Sequence, residues 1–211
     1  MALVASSLTG VRGERTLFSD VSFTLQPGEA LWVCGSNGSG KTTLLRMLCG
    51  LLPPAGGQIR WRGAEICNSR EQFLQEMVHI GHECALKDDL SALENLAAIA
   101  GIAGHATGRV GVEAALARMG LERQAGLPAH VLSQGQRKRA ALARLFLPPV
   151  RPLWILDEPF SALDAAAATL LDDTVASHLA GGGMLVYTTH QAPGFAGRSA
   201  RRLELDAVAA C

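Results

Sequence analysis

The sequence lacks several features that would assign it to common classes of protein. Acidic and basic residues balance at 19 each among 211 residues, so no excess of positive charge suggests a nucleic acid partner. The five cysteines include no Cys-x-x-Cys pair, and an odd number favours reduced thiols in a cytosolic chain over a disulfide framework. The first residues contain neither a basic segment nor a long apolar stretch, so we expect no export signal.

No apolar run in the sequence is suited to cross a membrane. The longest stretch without acidic or basic residues covers residues 174–197, and it contains three consecutive glycines, two histidines and a proline. A membrane-spanning helix needs about 20 predominantly apolar residues. The mean hydropathy is nevertheless positive, which suggests a protein that docks on a membrane partner. The length favours a single domain, 1–211.

A glycine-rich loop lies between an apolar strand and a helix. Residues 35–42 match the Gly-x-x-x-x-Gly-Lys-Thr pattern of a phosphate-binding loop. The glycines let successive N–H groups converge on phosphate oxygens, and the helix adds the positive end of its dipole. Lys41 supplies a charge to the β- and γ-phosphates, and the Thr42 hydroxyl is placed to coordinate Mg²⁺. We therefore predict a nucleoside triphosphate site formed by Gly35, Ser36, Asn37, Gly38, Ser39, Gly40, Lys41, Thr42 and Thr43.

A second apolar strand, at residues 153–156, ends in two carboxylates. In a phosphate-loop fold, a strand beside the loop delivers an acid to the Mg²⁺ ion, and Asp157 suits that role. Glu158 is then placed to polarise the attacking water. This strand end is the predicted partner of the glycine loop.

The hydrophobic pattern predicts a helical segment inserted into an α/β core. Strands are expected at residues 3–8, 21–25, 30–34, 58–61, 78–81, 153–156, 184–188 and 202–205. Helices are expected at residues 42–49, 112–119, 134–147 and 165–179, together with one that begins at a Ser-x-x-Glu capping box and runs to about residue 100. The core is expected at residues 1–82 and 148–211, and the helical subdomain at about residues 83–147.

Three further segments carry a family resemblance. Residues 132–136 read Leu-Ser-Gln-Gly-Gln and resemble the Leu-Ser-Gly-Gly-Gln signature of ATP-binding-cassette ATPases, with Gln134 in place of the first glycine. Ser-Ala-Leu-Asp at residues 161–164 resembles the D-loop of that family, and His190 resembles its switch histidine. The resemblance implies a P-loop NTPase of the α/β class, with a parallel core sheet, a small antiparallel layer and an inserted helical subdomain.

The family resemblance also implies how the site is assembled. Two subunits would form a head-to-tail homodimer with ATP and Mg²⁺ between them. One subunit would contribute Lys41, Thr42, Asp157, Glu158 and His190, and the other would contribute Ser133, Gly135 and Gln136. A helix N-terminus supplied by a second copy is a further anion site, so ATP would hold the dimer together.

Two positions depart from the family pattern. The aromatic residue that usually stacks on adenine is replaced by Arg12, whose guanidinium can stack on a base, and Phe18 is the alternative. The usual glutamine of the Q-loop falls at His82, which could sense the γ-phosphate, hold a water or contact a partner. His79 and Cys84 nearby also suggest a metal or haem site, but three donors without a fourth are weak evidence for zinc.

Several segments resemble one subfamily, the haem-exporter ATP-binding subunits of the bacterial cytochrome c maturation system. They include Gly-His at residues 81–82, Leu-Ser-Ala-Leu-Glu-Asn-Leu at residues 90–96 and Thr-Thr-His-Gln at residues 188–191. The resemblance implies integral-membrane transporter subunits as partners, on the cytoplasmic face of the inner membrane. A different exporter and a nucleotide-gated assembly or chaperone module remain alternatives, whereas the balanced charge and the absence of coiled-coil heptads argue against a cassette that acts on DNA or ribosomes.

Overall fold

The computed structural model describes residues 1–104, 107–190 and 200–206. The strands are β1 Leu3–Arg12, β2 Arg15–Leu25, β3 Ala30–Cys34, β4 Gly56–Trp61, β5 Ala64–Glu65, β6 Met77–Ile80, β7 Leu153–Leu156, β8 Met184–Thr188 and β9 Ala200–Glu204. The helices are α1 Lys41–Leu48, α2 Arg70–Gln75, α3 Ala92–Ile102, α4 Arg109–Arg118, α5 Gln134–Leu142 and α6 Ala165–Ala180, with 3₁₀ turns at Ala129–Val131 and Ala143–Phe146.

A five-stranded parallel sheet forms the centre of the molecule, in the order β6-β7-β8-β3-β9. Strands β7 and β8 are buried along their whole length, as expected of parallel strands covered on both faces. Helix α1 packs on one face of the sheet, and the helices inserted between β6 and β7 in the chain pack on the other. The carboxyl ends of β3, β7 and β8 therefore meet at one edge, where parallel α/β sheets place their sites.

A separate antiparallel sheet covers the face that carries α1. Its strand order is β2-β1-β4-β5, and its inward residues join α1 in one apolar cluster. The predicted α/β fold, with a parallel core sheet and a small antiparallel layer, is confirmed. No helix in the three described ranges combines the length and the apolar character needed to span a membrane.

The predicted elements differ from the structure mainly at their ends. Strands β1 and β2 extend to a tight hairpin at residues 12–15, because main-chain pairing continues beyond the apolar residues. The single helix predicted at residues 134–147 is wrong in its second half, since α5 ends at Leu142 and the chain tightens into a 3₁₀ turn before Pro148. Helix α2 and strand β5 were not predicted, because six and two residues are too few to show a period.

The capping box predicted at the start of α3 is present, and the structure shows a second one at the start of α5. The Ser91 hydroxyl accepts from the N–H of Glu94, while the Glu94 carboxylate accepts from the N–H of Ser91 at 2.8 Å. Ser133 and Gln136 form the same reciprocal pair at the start of α5. Each box satisfies two N–H groups that a helix N-terminus otherwise leaves unpaired. Ser133 is thereby fixed as the residue from which α5 begins.

Candidate active site

The glycine loop curls between the end of β3 and the start of α1. Gly40 has φ +103°, and a Cβ there would lie 2.9 Å from the Phe18 ring, so this position requires glycine. Lys41 folds back over the loop, where its ammonium group donates to the carbonyls of Gly35 and Ser36 at 2.8 and 2.9 Å. The ammonium group therefore lies directly above the loop that is predicted to cradle the phosphates.

The other end of the loop is held by a residue that the sequence did not point to. The Asp206 carboxylate accepts from the N–H of Ser36 at 2.6 Å and from its hydroxyl at 2.8 Å. Asp206 follows β9, the strand that flanks β3 at the sheet edge. Nothing in the local sequence distinguishes this aspartate, because the contact depends on the order of strands in the sheet.

Asp157 lies beside the loop, as its place after β7 predicts. It is 3% exposed, and its Oδ2 accepts from the Thr42 hydroxyl at 2.8 Å. The main-chain carbonyl of Asp157 faces the ammonium group of Lys138 at 3.4 Å. Lys138 is 2% exposed, and burial lowers its pKa. The carboxylates of Asp157 and Glu158 nearby explain why a buried amine is tolerated there. The sequence pattern of α5 did not distinguish Lys138 from the neighbouring basic residues.

Glu158 and His190 lie together at the same sheet edge. The Glu158 Oε1 is 3.5 Å from Nε2 of His190, with the glutamate side chain 14% exposed and the histidine 67% exposed. Glu158 has φ +48°, a left-handed conformation that is uncommon for a residue with a side chain. The carboxylate expected to polarise water is thus largely buried, beside a histidine that is mostly exposed. Gln191, which follows His190, lies outside the described residues.

The segment before His190 is tied to the strand that leads into the loop. The indole N–H of Trp32, on β3, donates to the carbonyl of Thr189 at 3.2 Å. Strand β3 also pairs with β8 in parallel, with Val33 opposite Thr188. The loop and the histidine are consequently carried by neighbouring, directly bonded strands.

Ser133, Gly135 and Gln136 lie at the N-terminus of α5, with Ser133 exposed and the other two partly exposed. Gly135 packs tightly against the D-loop, since a Cβ there would lie 2.7 Å from the carbonyl of Ala162. Within the described ranges, no hydrogen bond or ion pair of the chain joins these three residues to the glycine loop. The structure of one chain therefore does not bring the signature segment to its own phosphate loop.

The two candidates for adenine stacking differ in accessibility. Phe18 is 0% exposed, and its ring packs between Gly10 and Gly40 beneath the glycine loop, so it has no free face for a base. Arg12 is exposed at the end of β1, opposite Arg15 in the hairpin. Of the two, only Arg12 is available to a ligand in this conformation.

His82 is exposed and lines a cavity of about 970 Å³ that also reaches Thr42 and Asp157. His79 lines the same cavity, and burial is the main cause that lowers its pKa. Burial also raises the pKa of the Cys84 thiol, which disfavours the thiolate that metals bind. Among the described residues, no group of three or more His, Cys, Asp or Glu side chains is arranged to hold a metal ion.

Comparison with known proteins identifies this arrangement. The family model for ABC transporters matches residues 18–161, which include the glycine loop, the signature segment and the Asp157–Glu158 turn. The chain belongs to the ABC transporter family. Within that family it is an ATP-binding ATPase, and its relatives and structural neighbours are consistent with the predicted fold.

Curated relatives that are about half identical to this chain are cytochrome c biogenesis ATP-binding export proteins. The protein CcmA of Pseudomonas aeruginosa is 50% identical over 189 residues, covering 90% of this chain and 93% of the relative. CcmA of Aromatoleum aromaticum is 49% identical over 194 residues, covering 92% of this chain and 91% of the relative. The chain therefore belongs with these proteins inside the wider family, as the resemblance predicted.

Solved structures share the fold. An ATP-binding subunit of an ABC transporter superposes with a TM-score of 0.83 at 25% identity, covering 97% of this chain and 87% of that one. The ATP-binding cassette MJ0796, solved as a dimer in a post-hydrolysis state with ADP and Pi, gives a TM-score of 0.77 at 24% identity, covering 90% of this chain and 88% of that one. That cassette, which has the same fold, is a dimer and binds a nucleotide.

Proposed function

We propose that this chain is the ATP-hydrolysing subunit of a transporter complex that powers haem handling for c-type cytochrome biogenesis. The proposal depends mainly on one observation: about half of the residues are identical to those of cytochrome c biogenesis export proteins, over almost the whole chain. The juxtaposition of Lys41, Glu158 and His190 at one sheet edge supports the hydrolytic part.

Hydrolysis is assigned to the side chains that converge on the glycine loop. Lys41 exchanges the loop carbonyls that it now contacts for the β- and γ-phosphates of ATP. Glu158 orients and polarises the attacking water, and His190, 3.5 Å from that carboxylate, stabilises the charge that develops on the γ-phosphate. Arg12 is the proposed contact for adenine, because its guanidinium is exposed and can stack on a base.

The residues at the loop fit a magnesium ion. Thr42 Oγ1 and Asp157 Oδ2 lie 2.8 Å apart, and hydroxyl and carboxylate oxygens are the donors that Mg²⁺ prefers. When bound with ATP, Mg²⁺ neutralises charge on the β- and γ-phosphates. Asp157 is buried and already oriented toward the loop, so it can serve as a ligand with little rearrangement.

We infer that two copies of the chain complete the site. Ser133, Gly135 and Gln136 lie at a helix N-terminus, where a phosphate of a nucleotide bound to the second copy would be favourable. The Ser133 hydroxyl accepts from the N–H of Gln136, so its own proton is free to donate to that phosphate. The dimeric cassette among the structural neighbours supports a dimer of this chain, and the head-to-tail arrangement is the one that would bring this helix N-terminus to the second copy's phosphate loop.

The integral-membrane subunits are proposed to dock at the cavity around His82, which would place this chain on the cytoplasmic face of the inner membrane. Leu51, Leu74 and Ile102 line that cavity and are 55%, 41% and 89% exposed. An apolar surface of this kind, next to His82 and open to Asp157, suits a partner that senses the nucleotide. The balanced charge gives no reason to add a nucleic acid partner.

The decisive experiment restores the gene to a bacterium that lacks its cytochrome c biogenesis ATPase. Lys41→Ala and Glu158→Gln are compared with the wild type, by staining covalently bound haem in c-type cytochromes and by co-purification from detergent-solubilised membranes. We expect both variants to lose c-type cytochromes while integral-membrane subunits still co-purify.

Three other outcomes separate the alternatives. Normal c-type cytochromes with Lys41→Ala would overturn the assignment to this pathway and favour a different exporter. Loss with Lys41→Ala but full function with Glu158→Gln would favour a nucleotide-gated assembly module in which hydrolysis is incidental. Failure of the wild-type protein to co-purify with any integral-membrane subunit would contradict the docking proposal.

A further inference from the structure

The hydroxyl of Thr188 is bonded to both acidic residues of the site. Thr188 is the last residue of β8, is 0% exposed, and lies one position beyond the pairing of Tyr187 with Leu156. Its hydroxyl donates to Asp157 Oδ1 at 2.6 Å and accepts from the N–H of Glu158 at 2.9 Å. A hydroxyl has one proton to give, so the first bond uses its whole donor capacity and fixes its rotation.

The first of these bonds completes the fixation of the Asp157 carboxylate. One oxygen accepts from Thr42 on the phosphate-loop helix, and the other accepts from Thr188 on β8. Bonds from a hydroxyl to a carboxylate are short and stronger than bonds between neutral groups. With each oxygen held by a threonine from a different element, the carboxylate cannot rotate without breaking a buried bond.

The second bond stabilises an uncommon backbone conformation. Glu158 has φ +48°, a left-handed conformation that is unfavourable for a residue with a side chain. The Thr188 hydroxyl satisfies the N–H of Glu158 in that conformation, in which the Glu158 carboxylate lies 3.5 Å from His190. Thr188 therefore connects the conformation of the turn to the direction of the catalytic side chain.

We propose that Thr188 is a positioning residue of the hydrolysis site, which couples the Asp157 carboxylate to the backbone of Glu158 through a single hydroxyl. The proposal rests on the proposed function, because it uses the roles assigned there to Asp157 and Glu158. Thr188 is fully buried, and it acts through the two acids. Its effect should therefore appear in turnover and not in nucleotide affinity.

The test compares three variants of Thr188. Thr188→Val keeps the shape and removes both bonds, Thr188→Ser keeps the hydroxyl, and Thr188→Cys offers a weak donor of similar size. Thr174→Val is the matched control, because its hydroxyl donates to the Leu170 carbonyl within α6, away from the site. ATPase activity is measured with the membrane partners co-expressed and is expressed per bound nucleotide, alongside the Kd for ATP and urea unfolding.

We expect Thr188→Val to lower kcat per bound nucleotide on the order of 100-fold, as misplacement of a catalytic group by about 1 Å does. The Kd for ATP should change less than about three-fold, since Lys41 and the N–H groups of the glycine loop, which are proposed to bind the phosphates, are unchanged. Thr188→Ser should recover most of the activity, Thr188→Cys should be intermediate, and Thr174→Val should resemble the wild type.

The proposal is overturned if Thr188→Val turns over ATP like the wild type, or if Thr188→Ser is as impaired as Thr188→Val. If the valine variant does not fold, equal activities of the serine and cysteine variants would overturn it. If the assembly that carries Glu158→Gln hydrolysed ATP as fast as the wild-type assembly, the proposed function would be contradicted instead. Loss of hydrolysis with Glu158→Gln but not with Thr188→Val would contradict this inference alone.

Discussion

Acidification should weaken the fold through one buried histidine. His178, on α6, stacks on Trp154 with ring centroids 3.7 Å apart and planes within 3°. Its Nε2 lies 3.3 Å from the carbonyl of Met184, so the neutral ring carries its proton on that nitrogen. Burial lowers the pKa of His178 to about 4, against about 6.5 in an unfolded chain.

Because the pKa of His178 is lower in the folded chain than in the unfolded chain, the free energy of unfolding depends on pH. Below about pH 6.5 the unfolded chain binds a proton that folded His178 does not bind, so stability falls as the pH drops and levels off near pH 4. The full difference corresponds to about 3 kcal/mol of unfolding free energy. Between about pH 8 and about pH 5, roughly 2 kcal/mol of it should be lost.

The assay is urea unfolding at a series of pH values, for the wild type and for His178→Gln. Glutamine can still donate to the Met184 carbonyl but does not titrate, so every other ionising group is common to both proteins. The wild type should start more stable near neutral pH, and the difference between the two should shrink by about 2 kcal/mol on acidification to about pH 5. Parallel curves over that range would refute the inference that His178 is held neutral by burial.

Three further predictions concern packing and capping. Gly135→Ala should lower the free energy of unfolding by about 1–3 kcal/mol, because the new Cβ would lie 2.7 Å from the Ala162 carbonyl oxygen and the D-loop would have to shift. An unchanged midpoint of urea unfolding would contradict this close approach. Gly101→Ala, within α3 and with no atom near the added Cβ, should instead stabilise by about 0.5–1 kcal/mol in the same measurement, and a loss of stability would be inconsistent with open space there. Ser91→Ala should lower the free energy of unfolding by about 1 kcal/mol, because it removes a helix cap and the partner of Glu94. Thermal unfolding is the measurement, and an unchanged midpoint would show that the capping box contributes little to stability.

The sequence predicted the parts of the site that depend on short, local patterns. The glycine loop and the apolar strand that ends at Asp157 each follow from residues adjacent in the chain. Parallel strands place their carboxyl ends at one edge, so His190 could also be expected beside Glu158.

Other features required the tertiary arrangement. Phe18 looked suitable for stacking on a base, yet its burial beneath Gly40 depends on how the antiparallel sheet packs under the loop. The bonds of Thr188 and Asp206 depend on the order of strands in the sheet. Lys138 is buried while neighbouring basic side chains of α5 are partly exposed, a difference that helical spacing alone did not reveal.

The central claim is that one chain holds half of an ATP site, which a second copy completes. It is tested most directly by sedimentation of the purified Glu158→Gln protein with ATP, with ADP and without nucleotide, using the Lys41→Ala/Glu158→Gln protein as the control. We predict a shift from one subunit of 22.2 kDa to two with ATP only, and no shift in the control. A protein that stays monomeric at saturating ATP, or that dimerises equally without nucleotide, would contradict the claim.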